Sequence, residues 1–495
     1  MKEHKDNSYQ HVLKYTGLFG GVQGLIILIG LVRNKAMAWL LGTGGMGFNA
    51  LMMSVQTFAA QATNLGLSFG AVPKLSEVYE HQANQSQLDY YIQVIRLWSL
   101  IAAALGLLFC VAASGLVDNM TFTWGDHTLH YAMLGVSVAM MAITGGETAL
   151  LKATQRMGSL ARIQVSTAIG AVVLSVPLYY YWGQSGVIPA IVLIAALNML
   201  LTVIRSYRYY PLKLRFRKQH LRDGYGMIRL GVAFVLAAAI GSGAEMAIRA
   251  FLNVEGSMDD VGFYNAAYMI VITYAGMVFS AMETDYFPRL SAVNKDIEAT
   301  NDTVNKQMEV SLLLLSPMLV ALIMLLPLLI PMLFSRDFLP VVAMAQVAVL
   351  AMYFKVQTMP VAYITLARSR SLAYLLLESI YFVALVVAIV VGYRCWGIWG
   401  TGVAIVVAHV LEYVTVYAFA YWQYSYRPIW RVSRYALMQM SIGALAYGVT
   451  LWTEGWTYWI TEAALTLIST ACSLYILHQK TRLWEALMRK VKKLV

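Results

Sequence analysis

Charge is what this chain of 495 residues has least of. Asp, Glu, Lys and Arg make up 12% of it, about half the share a soluble domain carries. That shortage excludes an ordinary soluble domain. The 59% hydrophobic content excludes a disordered chain as well. Cysteine is equally scarce. Cys110, Cys395 and Cys472 lie far apart in apolar runs, so neither a disulfide framework nor a thiolate metal motif is present. Phosphate-binding glycine loops, zinc-ligand spacings and nucleophile elbows are missing too. No catalytic group, metal site or cofactor is therefore expected. The net charge of +11 does not point to nucleic acid, because no soluble basic region exists to dock one.

Long apolar runs are what the chain does have, with a mean hydropathy of +0.63. Punctuation by polar, Gly and Pro residues divides them into fourteen expected spans, at 13–41, 45–72, 92–115, 129–150, 160–182, 185–205, 227–250, 262–283, 311–335, 341–366, 372–393, 396–420, 434–452 and 457–477. Fourteen spans of about twenty residues each would use a little over half the chain. Uninterrupted runs favour helices over barrel strands, which alternate apolar and polar residues. The first run is read as a retained span, because no small-residue cleavage site follows it. With the N-terminus inside, thirty Lys and Arg fall on the inner side and five on the outer, and Lys355 stays within a span. That bias places both termini in the cytoplasm. The tail 478–495 has one apolar and one basic helical side, as a helix lying on the inner leaflet does.

The spans repeat. Arg33 and Arg249 are 216 apart; Gly47-Phe48 and Gly262-Phe263 are 215 apart, as are Pro73-Lys74-Leu75-Ser76 and Pro288-Arg289-Leu290-Ser291. Arg156-x-x-Ser159-Leu160-Ala161 recurs at Arg368 with an offset of 212, and Trp182-Gly183-x-x-Gly186 recurs at Trp396 with an offset of 214. Six spans per copy is an even number, so both copies point the same way. The expected architecture is an all-α polytopic membrane protein of about 14 transmembrane helices: two parallel six-helix lobes around a central cavity, plus two extra C-terminal helices. The domain plan is 1–206 for the N-lobe, 207–226 for a basic cytoplasmic linker, 227–420 for the C-lobe, 421–477 for the extra pair and 478–495 for the tail.

Gly30-Leu31-Val32-Arg33-Asn34-Lys35, followed by Leu41-Gly42-Thr43-Gly44-Gly45-Met46-Gly47, resembles the opening signature of Wzx-type polysaccharide flippases. The stretches Gly146 to Ala161 and Tyr393 to Ala404 resemble the same group, which belongs to the multidrug/oligosaccharidyl-lipid/polysaccharide (MOP) exporter superfamily. The resemblance covers essentially the whole chain. It implies a multi-pass transporter of the bacterial inner membrane that turns over an undecaprenyl-pyrophosphate-linked oligosaccharide for O-antigen, capsule or exopolysaccharide. Membrane lipids, and the polymerase and chain-length machinery, are the partners it implies. In that group, basic residues of the first helix and the cavity meet the pyrophosphate or acidic sugars; Arg33 matches such a position. An ion-coupled drug exporter of the superfamily and a membrane glycosyltransferase or polymerase acting on the same lipid are the alternatives.

Several residues are candidates on their own chemistry. Arg33 and Lys35 sit at the end of the first span, and an intramembrane cation needs a reason. They bind phosphate or acidic sugar, or they snorkel to the outer interface. Repeat symmetry adds Arg249. Glu245 and Arg249, four apart, form a gate or a proton-sensitive switch, which makes Glu245 a coupling candidate, or they form a structural pair. Glu147, Glu378 and the pair His409 and Glu412 are coupling candidates, since buried carboxylates and histidine exchange protons; hydrogen bonding between helices is the other reading. Asn49, Gln56 and Thr63 recur every seven residues and share one helical side. They line the cavity, or they bond neighbouring helices.

Overall fold

The computed structural model describes residues 2–80, 85–122, 126–212 and 218–481. The tail 482–495, and residues 213–217 of the linker, lie outside the described residues. Among the described residues every regular element is helical. The helices are α1 (Lys2–Thr63), α2 (Leu67–Glu80), α3 (Gln85–Thr121), α4 (Thr128–Ala153), α5 (Met157–Trp182), α6 (Val187–Tyr209), α7 (Lys218–Glu255), α8 (Met258–Tyr268), α9 (Ala275–Ala292), α10 (Ile297–Leu333), α11 (Val342–Val349), α12 (Ala351–Ala367), α13 (Ser371–Tyr424), α14 (Trp430–Trp452) and α15 (Gly455–Thr481). A π-helical stretch, Met269–Tyr274, joins α8 to α9. Helices pair their backbone groups internally, which the hydrocarbon core requires of any spanning segment.

Among the described residues, eight stretches are long and apolar enough to cross a membrane, or nine if the bent pair Arg336–Val349 and Ala351–Ala367 is one span. Two of them, Met157–Tyr209 with 53 residues and Ser371–Tyr424 with 54, are far longer than the roughly twenty residues one crossing needs. Each folds back on itself. The chain turns at Gly183 (φ 56°) and at Gly397 (φ 61°), in a region glycine enters without a Cβ penalty. A Cβ on Gly186 would meet the Leu178 carbonyl, and one on Gly400 the Gly392 carbonyl. Residues eight apart touch only if the chain has reversed. The repeated Trp-Gly-x-x-Gly thus marks a helical hairpin: the first glycine makes the turn and the second admits the close backbone approach. Gly42, with φ 67°, breaks α1 in a similar conformation.

The structure moves one repeat register. Gln155 and Ser369, both at φ 56°, close α4 and α12 with the same set of bonds. The Arg156 N–H donates to the Leu151 carbonyl and the Gln155 N–H to the Lys152 carbonyl; Arg370 donates to Thr365 and Ser369 to Leu366. This is the Schellman pattern. Arg156 therefore corresponds to Arg370, at 214, and not to Arg368 at 212. The hydrogen-bonded turn sets the equivalence, and the short letter match slid past it. Thr144 and Thr358 obey the same offset, donating to the Met140 and Phe354 carbonyls.

The chain divides into two compact units. Unit 1 is Met1–Gly262 with Leu333–Ser335, and unit 2 is Phe263–Met332 with Arg336–Val495. In unit 1, α1 packs along α5 and α7, and α4 along α3 and α6. The first turn of α8 belongs to this unit. A Cβ on Gly47 would strike the Met258 carbonyl, and one on Gly262 the Thr43 carbonyl. Residues 215 apart thus exchange equivalent contacts, as a local two-fold relation demands. In unit 2, α12 and α11 pack against α13. The Tyr458 hydroxyl donates to the Met324 carbonyl (2.9 Å), tying α15 to α10, and the Gln439 side chain donates to the Ser473 hydroxyl (2.9 Å), tying α14 to α15.

Candidate functional site

Arg33 is half-buried on α1, with its charge near the Tyr179 hydroxyl of α5, while Lys35 is exposed. Arg249 is buried on α7. Its guanidinium donates to the Glu245 carboxylate and, at 3.0 Å, to the Glu245 carbonyl. The four-residue spacing brings these two groups together. Arg33, Lys35, Glu245 and Arg249 all belong to unit 1.

The polar stripe of α1 turns into the bundle. Gln56 donates its amide to the Ser137 hydroxyl of α4 at 2.8 Å. Thr63 donates to the Ala59 carbonyl at 2.7 Å and abuts Gly106 of α3. Asn49 is buried as well. Gln56 thus bonds a neighbouring helix, and Thr63 bonds back to its own.

Glu147 has found a partner that sequence inspection missed. The Arg96 side chain donates to its carboxylate from Nε at 2.7 Å and from Nη2 at 3.3 Å. The same guanidinium donates to the carbonyls of Tyr210 (2.8 Å) and Pro211 (3.1 Å), and the Ser206 hydroxyl donates to Glu147. Both charged groups are at least 95% buried. This network clamps α3, α4 and the end of α6. In the sequence Arg96 is one of the thirty inner-side cations; a buried carboxylate's need for a cation is the signal that points to it.

Unit 2 gathers its own cluster. The Lys355 ammonium of α12 lies 3.1 Å from Glu412 of α13 and 5.5 Å from the Tyr381 ring centre. His409 donates from Nδ1 to the Ile405 carbonyl at 2.9 Å, so Nε2 faces the Tyr381 hydroxyl, 3.5 Å away. No hydrogen bond joins His409 to Glu412 among the described residues. Glu378 is in electrostatic reach of Lys355 and Glu412. Lys355 is the cation that the charge count could not assign to a side, and Glu412, a carboxylate within another apolar run, is the partner its burial calls for. Glu462 of α15 also escaped notice: it is fully buried, and neither carboxylate oxygen has a hydrogen-bond partner among the described residues. No group of three or more His, Cys, Asp or Glu among the described residues is placed to hold a metal ion.

These helices and buried ion pairs define a multi-pass membrane protein with charged groups inside its bundles. Residues 36–343 match the family described as "Polysaccharide biosynthesis protein", and the chain belongs to that family. No curated protein matches the sequence. Among solved structures the chain is similar to the lipid II flippase MurJ in an inward closed conformation, with a TM-score of 0.72 and 14% identity, covering 93% of this chain and 99% of that one. It is similar to a multidrug resistance MATE family transporter of the MOP superfamily in an inward-facing conformation, with a TM-score of 0.69, 14% identity and coverage of 81% and 94%. A MOP superfamily transporter from Pyrococcus furiosus, described as having a binding pocket of reverse polarity, gives a TM-score of 0.52 at 14% identity over 83% and 94%. At these identities the likeness shows the fold, which is that of MOP transporters and flippases.

Proposed function

We propose that the chain is a flippase. It carries an undecaprenyl-pyrophosphate-linked oligosaccharide, the repeat unit of an O-antigen, capsule or exopolysaccharide, from the inner to the outer leaflet of the bacterial inner membrane. Fourteen spans, two six-span lobes around a hydrated cavity, an extra pair and cytoplasmic termini form the frame for alternating access. Arg33 and Arg249 carry this reading: a cation stands on each of two repeat-equivalent helices, one half-buried and one buried, where only an anion repays the cost of burial. Arg33 and Lys35 receive the pyrophosphate. Glu245 holds Arg249 until the anion replaces it.

Glu147 is saturated by Arg96 and Ser206, so its role is to clamp the inner end of unit 1. Coupling falls to Glu412, with Lys355 and His409 beside it, because the second oxygen of Glu412 is buried without a hydrogen-bond partner among the described residues. The Gln56 and Thr63 contacts favour a packing role for the stripe. Polymerase and chain-length proteins would act on the product outside. The family match favours this cargo over a drug.

The test is complementation of a flippase-null strain. Arg33→Glu, expressed at the wild-type level, is expected to abolish surface polysaccharide and leave lipid-linked oligosaccharide on the inner face. Full activity of that variant would remove the site, and resistance to cationic drugs without complementation would replace the flippase with an exporter. External accumulation of unpolymerised units in the null strain would replace it with a polymerase.

A further inference from the structure

Unit 1 contains a cleft that the transport reading does not use. It lies between α4 and α6, has a volume of about 200 Å³, and is lined by Met141, Thr144, Gly145, Thr148, Lys152 and Asn198 together with Ala149. Thr144, Thr148 and Lys152 are each one turn apart, so they form a row along one side of α4. From Lys152, in the last turn of the helix, the row descends about 16 Å to Met141 at 1.5 Å per residue.

Three donors in this cleft are unspent, while the Thr144 hydroxyl donates to the Met140 carbonyl. The Asn198 side-chain oxygen accepts from Thr167 at 3.3 Å, which leaves its NH2 group to donate. Among the described residues, no hydrogen bond or ion pair engages that NH2, the Thr148 hydroxyl or the Lys152 ammonium. No acidic side chain lines the cleft. Glu147, the carboxylate of this part of α4, points away into Arg96. The rim above is cationic: Arg205 stands seven residues beyond Asn198, on the same side of α6, and acts with Arg156 and Arg162 on the Tyr209 hydroxyl. An ammonium, a hydroxyl and an amide NH2 converging below basic residues form a receptor for a phosphate.

The repeat explains why a hole exists at this place. With the offset of 214 set by the matching turns, Met141 corresponds to Lys355 and Asn198 to Glu412. Unit 2 fills the position with its own ion pair. Unit 1 has neutral residues there and leaves the space open.

We infer that the α4–α6 cleft binds the phosphate headgroup of an anionic glycerophospholipid of the bilayer. The phosphate sits against Lys152, Thr148 and Asn198, and an acyl chain runs past Met141. About 200 Å³ is below the usual 300–1,000 Å³ of a site that encloses a whole ligand. It suits a headgroup whose chains remain in lipid, and it is too small for a lipid-linked oligosaccharide head. The site is separate from Arg33 and Arg249 and stands whether or not the flippase reading does.

Native mass spectrometry of the full chain, released from micelles containing equal phosphatidylglycerol and phosphatidylcholine, tests this. Wild type is expected to retain phosphatidylglycerol preferentially. Lys152→Gln should weaken that retention about fivefold, the worth of one lysine at an anionic headgroup. Thr148→Val, nearly isosteric and safe for folding, should weaken it as well. Lys152→Arg and the distant Arg427→Gln should leave it intact. Undiminished preference in both Lys152→Gln and Thr148→Val overturns the site. Loss of bound phosphatidylglycerol on adding inorganic phosphate at equal concentration overturns the lipid source and makes the cleft a free-anion site.

Discussion

Lys355 and Glu412 in unit 2 occupy the positions that Met141 and Asn198 occupy in unit 1. The surrounding backbone is alike: both neighbouring turns close through a left-handed residue with the same bond pattern, and a threonine nine residues before the end of each helix donates to the carbonyl four residues back. What differs is how polarity is satisfied. Unit 2 supplies both signs of charge itself. Unit 1 supplies donors alone and keeps its own ion pair, Arg96 and Glu147, on the other side of α4. A duplicated scaffold has thus kept its geometry and lost its chemical symmetry. At this pair of positions the chemistry of one half does not carry over to the other.

The sharpest way to break this comparison is to strand one carboxylate in each half. Arg96→Ala leaves Glu147 charged and buried, and leaves two carbonyls without their donor. The expected cost is about 3–5 kcal/mol, read as loss of the monodisperse peak when the detergent-solubilised protein is sized. Lys355→Met, which copies unit 1 into unit 2, should cost about 3 kcal/mol, the low end of that range, because Lys355 is 31% exposed. Adding Glu412→Asn to it should recover most of the loss in thermal unfolding, since removing both charges of a pair is often close to neutral. A harmless Lys355→Met would show that the two halves do not differ as described.

Smaller effects probe the hairpins and the end of α3. Gly186→Ala and Gly400→Ala should each destabilise by about 1–3 kcal/mol through backbone overlap. A large inequality between them would break the equivalence of the two turns. The smallest effect concerns His127, which precedes α4 and stacks on Phe122 with ring centres 3.9 Å apart. Desolvation, then the charge of His130, holds its imidazole below the usual 6.5, against the pull of Asp118 and Asp126. The folded protein therefore binds this proton less readily than the unfolded chain. Stability from this group is complete above pH 6.5 and falls as the pH drops towards the lowered folded value. Wild type should lose more thermal stability between pH 7 and pH 5 than His127→Gln; equal slopes would remove the histidine from the account.

The helical hairpins were legible because Trp-Gly-x-x-Gly encodes a turn and a close approach within five residues. Glu245 and Arg249 were legible for a similar reason, being one turn apart on a single helix. Arg96 was hidden from Glu147 by 51 residues of chain and Lys355 from Glu412 by 57, so each appeared alone. The stripe Asn49, Gln56 and Thr63 showed which side of α1 was polar, but not that α3 and α4 would cover it. The Arg156 register slips by two in the sequence because four shared letters outweigh a bond pattern that only the folded turn shows.

Composition and local spacing by themselves determined that the chain is helical, apolar, duplicated and built to stay in a membrane, since burying backbone in hydrocarbon permits little else and repeats are written in order along the chain. Which charge meets which, and where a polar hole stays open, was decided only when helices distant in sequence were packed side by side. Coulomb attraction and hydrogen bonding act over a few ångströms, and linear order does not say which groups will come that near.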